Sequence, residues 1–343
     1  MSAKEKIRER CSKLASQSGV ALILVLWIFI FLFVVAFEFS TSAREEATAA
    51  QRFSDETTGY YLALAGFQSG LYDFLNQQSG AGSQGSQPQQ VTQTDLFDGE
   101  FREQQLGAGM LRVRLIDESG KININRVNEE TLRRVFLNVG VDAARSDILV
   151  DSIMDWRDPD DLHRANGAEN DYYQSLTPPY TARNGPLDTV EDLLWIRGMT
   201  PDLFYGYPQP GAEPAEASKR VALRDLFTVD SPIDRVNLRT ASAEVIHALL
   251  GIPLEKCRSF VAERKKLSER TLADLLPLLG VGAADNAMQM FIFANPSVVA
   301  VEAEGRPSES QMGRRIKGVV RLGGGQGFEL LRWLDRDTAL PQN

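Results

Sequence analysis

The strongest pattern of polar and apolar positions lies near the amino end. From Val20 to Phe37, eighteen consecutive residues, VALILVLWIFIFLFVVAF, carry no charge. As an α-helix this run is about 27 Å long, close to the thickness of bilayer hydrocarbon, and it predicts a membrane span. Beyond it the pattern turns amphipathic: Tyr60, Tyr61, Leu64, Phe67, Leu71, Phe74 and Leu75 recur at steps of three and four with polar residues between them. One long helix is expected over 20–76. Its first half would lie in lipid or a filament core, and its second half would pack through this stripe on a soluble domain.

The Gly/Ser/Gln-rich run 77–90 has no apolar period, and a flexible linker is expected over 77–106. Met110–Asp117 alternates apolar and charged residues before a turn at Glu118-Ser119-Gly120. Ser297–Glu304, Arg315–Leu322 and Phe328–Leu334 read as further strands, with Gly323-Gly324-Gly325 as a turn. Strand signals therefore occupy 107–121 and 291–335, helical signals occupy 122–290 between them, and 336–343 is a short tail. The predicted class is α+β: a long N-terminal helix on a small antiparallel sheet, interrupted by a large inserted α-helical domain.

The insert repeats itself. Ile122-Asn123-Ile124 and Val236-Asn237-Leu238 share an apolar-Asn-apolar opening, followed by Glu130 and Glu244 at the same offset, and each opening leads into a helix. Thr189–Met199 recurs as Thr271–Val281 in the pattern T-x-x-D-L-L-x-x-x-G, a capped helix that ends at glycine. The two copies differ in length: Asn123 to Thr189 is 66 positions and Asn237 to Thr271 is 34, so the first carries 32 extra residues. Both elements resemble pieces of helix-hairpin-helix modules, which grip DNA phosphates through backbone N–H groups beside basic residues.

Charge weighs against that use. Residues 1–19 hold Lys4, Lys6, Arg8, Arg10 and Lys13 against Glu5 and Glu9, a net +3, which leaves −12 on the rest of a chain of formal charge −9. An acidic body repels phosphate backbones, and only Arg197 stands beside the first repeat's glycine, so a helical scaffold without a nucleic-acid partner is expected. The basic amino end places the N-terminus in the cytoplasm and the soluble part on the far side of the inner membrane. Two cysteines are present, Cys11 and Cys257; if a leader is removed after Gly19, no internal disulfide is possible.

The extra residues of the first repeat contain the densest chemistry. Asp155, Asp158, Asp160, Asp161, Glu169 and Asp171 put six carboxylates into seventeen residues of the loop 155–173. Hard cations with oxygen shells relieve such repulsion, and Ca2+ accepts irregular sites of six to eight oxygens. With Asp158 as position 1, Asp160, Asn166 and Glu169 fall at EF-hand positions 3, 9 and 12, but His163 stands where the EF-hand needs glycine. The pattern is an acidic calcium-type loop that is not an EF-hand. Zinc does not fit, because His163 and His247 lack Cys or His partners at ligand spacing. The alternative is that these acids cap helices and solvate a turn at Asp158-Pro159.

A short basic leader that ends at Gly19, directly before the apolar run, resembles the type IV prepilin leader, which is cut on the cytoplasmic side so that the helix is retained and Val20 becomes the first residue. The alternative is an ordinary signal anchor. Taken with GYYLALAGFQSGL, ININR, DWRDPDD…GAENDYY and RNGPLDTVEDLLWIRGM, the chain resembles the minor pseudopilin K family of the type II secretion system along nearly all of its length. The resemblance implies a non-enzymatic, pilin-like subunit with a large inserted α-domain and bound calcium; the crowding of the acids makes Asp158, Asp160, Glu169 and Asp171, with help from Asn170 or backbone carbonyls, the expected ligands. It further implies cleavage and methylation by a prepilin peptidase, assembly with minor pseudopilins I and J, and a place at the tip of the major pseudopilin filament. Ordinary pilins carry Glu at the fifth mature residue; here that residue is Leu24, in agreement with a subunit that has none above it. Two other classes are distinguishable by experiment: a DNA-uptake receptor would show salt-sensitive DNA binding, and a periplasmic hydrolase would lose turnover when single carboxylates are changed.

Overall fold

The computed structural model describes residues 3–78, 96–206, 221–264, 272–280, 287–307, 313–323 and 327–335. Helix α1 runs over Ala3–Gln78, longer at its start than the expected 20–76, and its apolar segment Val20–Phe37 is exposed on every side. A five-stranded antiparallel sheet follows in the order β1-β2-β7-β8-β9. These strands are β1 (Arg102–Leu106), β2 (Gly109–Asp117), β7 (Val298–Pro307), β8 (Arg314–Leu322) and β9 (Phe328–Leu334). Strand β1 lies inside the stretch read as linker, 77–106. Its sequence REQQL has one apolar residue and no alternation, so only backbone pairing across the turn at Gly107 makes it a strand. Leu96 and Phe97, also in that stretch, are buried under Phe74 and Leu115. The Gly/Ser/Gln run itself and the second glycine turn, Gly324–Gly325, lie outside the described residues.

The C-terminal half of α1 covers β2, β7 and β8. Phe67, Leu71 and Phe74 bury against Val113, Leu115, Val301, Ala303 and Ile316, while Trp333 of β9 meets Phe67 edge-on at 4.9 Å. Tyr61, assigned to the buried stripe, is 64% exposed. The face is centred instead on small residues, Gly59, Ala63, Gly66 and Gly70, which bring helix and sheet into close contact. A Cβ on Gly305 of β7 would overlap the Gly59 carbonyl oxygen and the Ala63 amide nitrogen. The opposite sheet face is part apolar, with Val298, Ala300 and Val319 buried, and part ionic: Glu302 is buried between Arg114 (2.6 Å) and Lys317 (3.2 Å), and although burial raises its pKa, these two cations hold it down to about 2.

Between β2 and β7 the chain builds two units on one plan. In the first, β3 (Ile122–Asn123) pairs in parallel with β4 (Phe227–Thr228); in the second, β5 (Val236–Asn237) pairs in parallel with β6 (Phe291–Ile292). Residues 291–292, expected in the sheet, thus belong to the insert, because a two-residue parallel bridge has too few positions to be told from a strand start. Each repeat asparagine makes a turn: the Asn123 carbonyl accepts from Arg126 and Val127 N–H, and the Asn237 carbonyl from Thr240 and Ala241 N–H. The turns lead to α2 (Glu129–Asn138, capped by Asn128) and α3 (Ala143–Arg157, capped by Asp142) in the first unit. The last residues of the first unit's loop form α4 (Asn170–Gln174), and the second unit contains α5 (Ala243–Leu250, capped by Ser242) and α6 (Leu254–Arg264). The later repeat element is a short 3-10 helix over Val190–Trp195 with a Thr189/Asp192 capping box; in the second copy Thr271 and Val281 lie outside the described residues. One apolar core fills both units, with α2 against α5.

Candidate metal centre

Helix α3 supplies the floor of the acidic loop. Asp151 and Asp155, four residues apart on one face, are 7% and 0% exposed. Asp155 accepts from Arg164 N–H and pairs with the Arg164 guanidinium at 3.3 Å; Asp151 accepts from the backbone and side-chain N–H of Asn166, at 2.9 and 3.0 Å. Gly167 lies so close that a Cβ there would overlap the Asp155 carboxylate. These contacts fold residues 158–169 back over the end of α3, and Arg197 clamps the fold by donating to the Gly167 carbonyl at 2.8 Å while stacking over Tyr172 at 4.8 Å. The one basic residue beside a repeat glycine is therefore committed to this loop.

Among the described residues, the loop brings together one group of three potential metal ligands: Asp158, Asp160 and Glu169, with ligand oxygens within 4.8 Å of one another. Glu169 is 1% exposed, and neither of its carboxylate oxygens has a hydrogen-bond partner; Asp158 Oδ1 is likewise buried and unpartnered. Burial, then the charges of Asp155, Asp158 and Asp161, push Glu169 up to about 7, with His163 acting weakly the other way. Asp158 is raised by burial and then by Asp160. Three convergent carboxylates, with orphaned oxygens and no nitrogen or sulfur donor, suit a hard divalent cation such as Ca2+, which takes its remaining oxygens from carbonyls and water.

Two other expected ligands are employed elsewhere. Asn170 donates to Asp161 Oδ1 and accepts from Ala182 N–H, both at 2.8 Å, and so holds the loop's two arms together. Asp171 is exposed and pairs with His163 at 2.9 Å. Of the EF-hand positions, 1, 3 and 12 converge, whereas Asn166 at position 9 turns to Asp151. Sequence reasoning missed Asp151 and Gly167. The available signal was a pair of acids four apart in the otherwise apolar run ILVDSIMDW, since carboxylates placed on a core-facing helical stripe must bind something.

The acidic loop lies wholly inside a stretch, residues 113–206, that matches the family model described as type II secretion system protein K. The chain is 39% identical over 70 residues to the putative type II secretion system protein K of Escherichia coli K12, covering 20% of this chain and 21% of that one. Against protein K of Pectobacterium carotovorum it is 29% identical over 105 residues, 30% of this chain and 32% of the relative. It thus spans about a fifth to a third of the length of these curated relatives. A chain in the crystal structure of the GspK-GspI-GspJ complex from the type 2 secretion system of enterotoxigenic E. coli superposes with a TM-score of 0.52 at 18% identity, over 86% of this chain and 98% of that one. The likeness is one of fold: a long N-terminal helix on an antiparallel sheet with an inserted helical region.

Proposed function

We propose that this chain is a minor pseudopilin at the tip of the periplasmic pseudopilus of a type II secretion system, and that it supports protein export across the outer membrane by assembly, without catalysis. The observation that carries this reading is a pilin-like helix and sheet joined to a bulky insert, a fold shared along 98% of a chain from the GspK-GspI-GspJ complex. Val20–Phe37 anchors it in the inner membrane with its N-terminus cytoplasmic, and the prepilin peptidase cuts between Gly19 and Val20 and methylates the new amine. Intact mass of membrane-extracted protein is expected to correspond to a methylated chain from Val20; a mature chain that begins earlier overturns the pilin reading.

The partners on this reading are minor pseudopilins I and J and, below them, the major filament. Full-length protein co-expressed with I and J is expected to purify as one complex. Leu24→Glu should leave that complex intact, because no subunit above offers an amine to neutralise. Long homopolymers of the native protein, or dependence of export on Glu at this position, would remove it from the tip. We read the two repeated units as helix-hairpin-helix-like modules that serve as a scaffold, which the commitment of Arg197 to Gly167 supports. Asp158, Asp160 and Glu169 hold Ca2+ on this reading, and the ion orders the acidic loop against the first unit.

A further inference from the structure

We infer that Asn125 is a positioning residue for the cation site, a clasp that closes the acidic loop from outside it. The inference rests on the calcium reading above. The loop leaves the first unit after Arg157 and rejoins it at Leu187, and both ends are tied to Asn125. Arg157 donates to the Asn125 carbonyl at 2.8 Å and the Val127 carbonyl at 3.0 Å. The Asn125 side chain donates to the Leu187 carbonyl and accepts from Leu187 N–H, each at 2.8 Å, so the amide pairs with the backbone as a strand residue would. Asn125 is itself fixed, since its N–H donates to Asn123 Oδ1 at 2.8 Å.

The returning arm passes this restraint to the ligands. Asn184, three residues before Leu187 and in the left-handed region at φ 49°, donates to the Asp160 carbonyl at 3.1 Å and to Asp161 Oδ1 at 3.0 Å. Asp160 is thereby held by an arm anchored at Leu187 and, through Gly185 N–H to the Trp156 carbonyl at 3.0 Å, at the end of α3, while Asp158 follows directly on Arg157. If Leu187 is released, of these two ties the arm keeps only the single Gly185 bond, its position relative to Arg157 loosens, and the three carboxylates are held less closely on one centre.

The second unit is an internal control. Its counterpart of Arg157 is Arg264, which donates to the Leu238 and Ala241 carbonyls, both at 2.7 Å. The arginine that ties the helix end to the turn is thus common to both units. Arg239 stands where the first unit has Asn125 and reaches Asn295 at 3.2 Å. The second unit has no acidic excursion, and Arg239, which has no acceptor, cannot pair with a backbone as Asn125 does; among the described residues its bidentate amide is Asn237, which donates to the Ala294 carbonyl at 2.9 Å and accepts from Ala294 N–H at 3.3 Å beside the β5–β6 bridge.

The test uses the full-length chain in detergent, with calcium binding followed by titration calorimetry and loop integrity by limited proteolysis in chelator. Asn125→Ala is expected to weaken calcium binding about tenfold or more, the usual scale for a residue that orients metal ligands. It should also speed cleavage within 158–186 in chelator. Asn125→Asp, which keeps the acceptor for Leu187 N–H, should lose less. Asn128→Ala, which removes the cap of α2, lowers the thermal midpoint but leaves calcium affinity at the wild-type value, and so separates positioning from general destabilisation. If wild type binds calcium and Asn125→Ala binds it equally well, the clasp is overturned and the site stands. If wild type binds none, the site reading fails and takes this role of Asn125 with it.

Discussion

Saturating calcium is expected to raise the thermal midpoint of the full-length protein by roughly 4–8 °C, and Glu169→Gln to abolish that rise. An ion that binds only the folded state at about a thousand times its Kd stabilises by about 4 kcal/mol, and a chain of this size shifts by about 1–2 °C per kcal/mol. The sign with pH follows from Glu169, raised from 4.5 to about 7 by burial and then by Asp155, Asp158 and Asp161. Without the ion, the folded state holds a proton between these values that the unfolded state has lost, so stability in chelator falls as pH rises from about 5 to about 8, by up to about 3 kcal/mol. Calcium competes with that proton, and its stabilising effect is therefore larger at pH 8 than at pH 6. Glu169→Gln removes the buried charge, so in chelator it should melt above wild type at pH 8 and close to it at pH 5. Midpoint scans of both proteins at the two pH values, with chelator and with millimolar calcium, check all four signs. A wild-type midpoint that ignores calcium returns the loop to a solvated acidic turn.

Gly305→Val is expected to prevent stable folding of the sheet on α1, at about 4 kcal/mol or more. Overpacking by a side chain ordinarily costs about 1–3 kcal/mol because neighbours shift, but here the added carbon meets backbone atoms of Gly59 and Ala63, which move only with the whole helix. Gly327→Ala, where a Cβ meets nothing within 4 Å, is the matched control and should melt with wild type. The readouts are yield from membranes and thermal midpoint. A Gly305→Val protein indistinguishable from wild type would mean that helix and sheet do not approach as closely as described.

These two predictions rest on features of unequal legibility. The acidic loop was visible because carboxylates are seldom crowded without a reason, and Asp158, Asp160 and Glu169 were among the residues its spacing marked, at EF-hand positions 1, 3 and 12. Spacing could not separate them from Asn170 and Asp171, which lie as close in sequence but point into the loop's own bonding and to His163. The close helix-to-sheet approach was hidden, since a stripe of Gly59, Ala63, Gly66 and Gly70 carries almost no hydrophobic signal and the larger Tyr61 beside it drew the register off by a position.

The amino-acid sequence by itself determined the long N-terminal helix with its apolar first half, the sheet strands β2, β7, β8 and β9, and the duplicated openings at Asn123 and Asn237, because each is written in local periodicity or in one residue type with one conformational use. Tertiary structure alone decided what depends on partners distant in the chain. Strand β1 exists through backbone pairing, and residues 291–292 belong to the insert through a parallel bridge to Val236 and Asn237. The division of the acids into those that tie the loop and those left with orphaned oxygens is of the same kind. It is set by which carboxylates find an N–H across the fold, and sequence distance does not encode that.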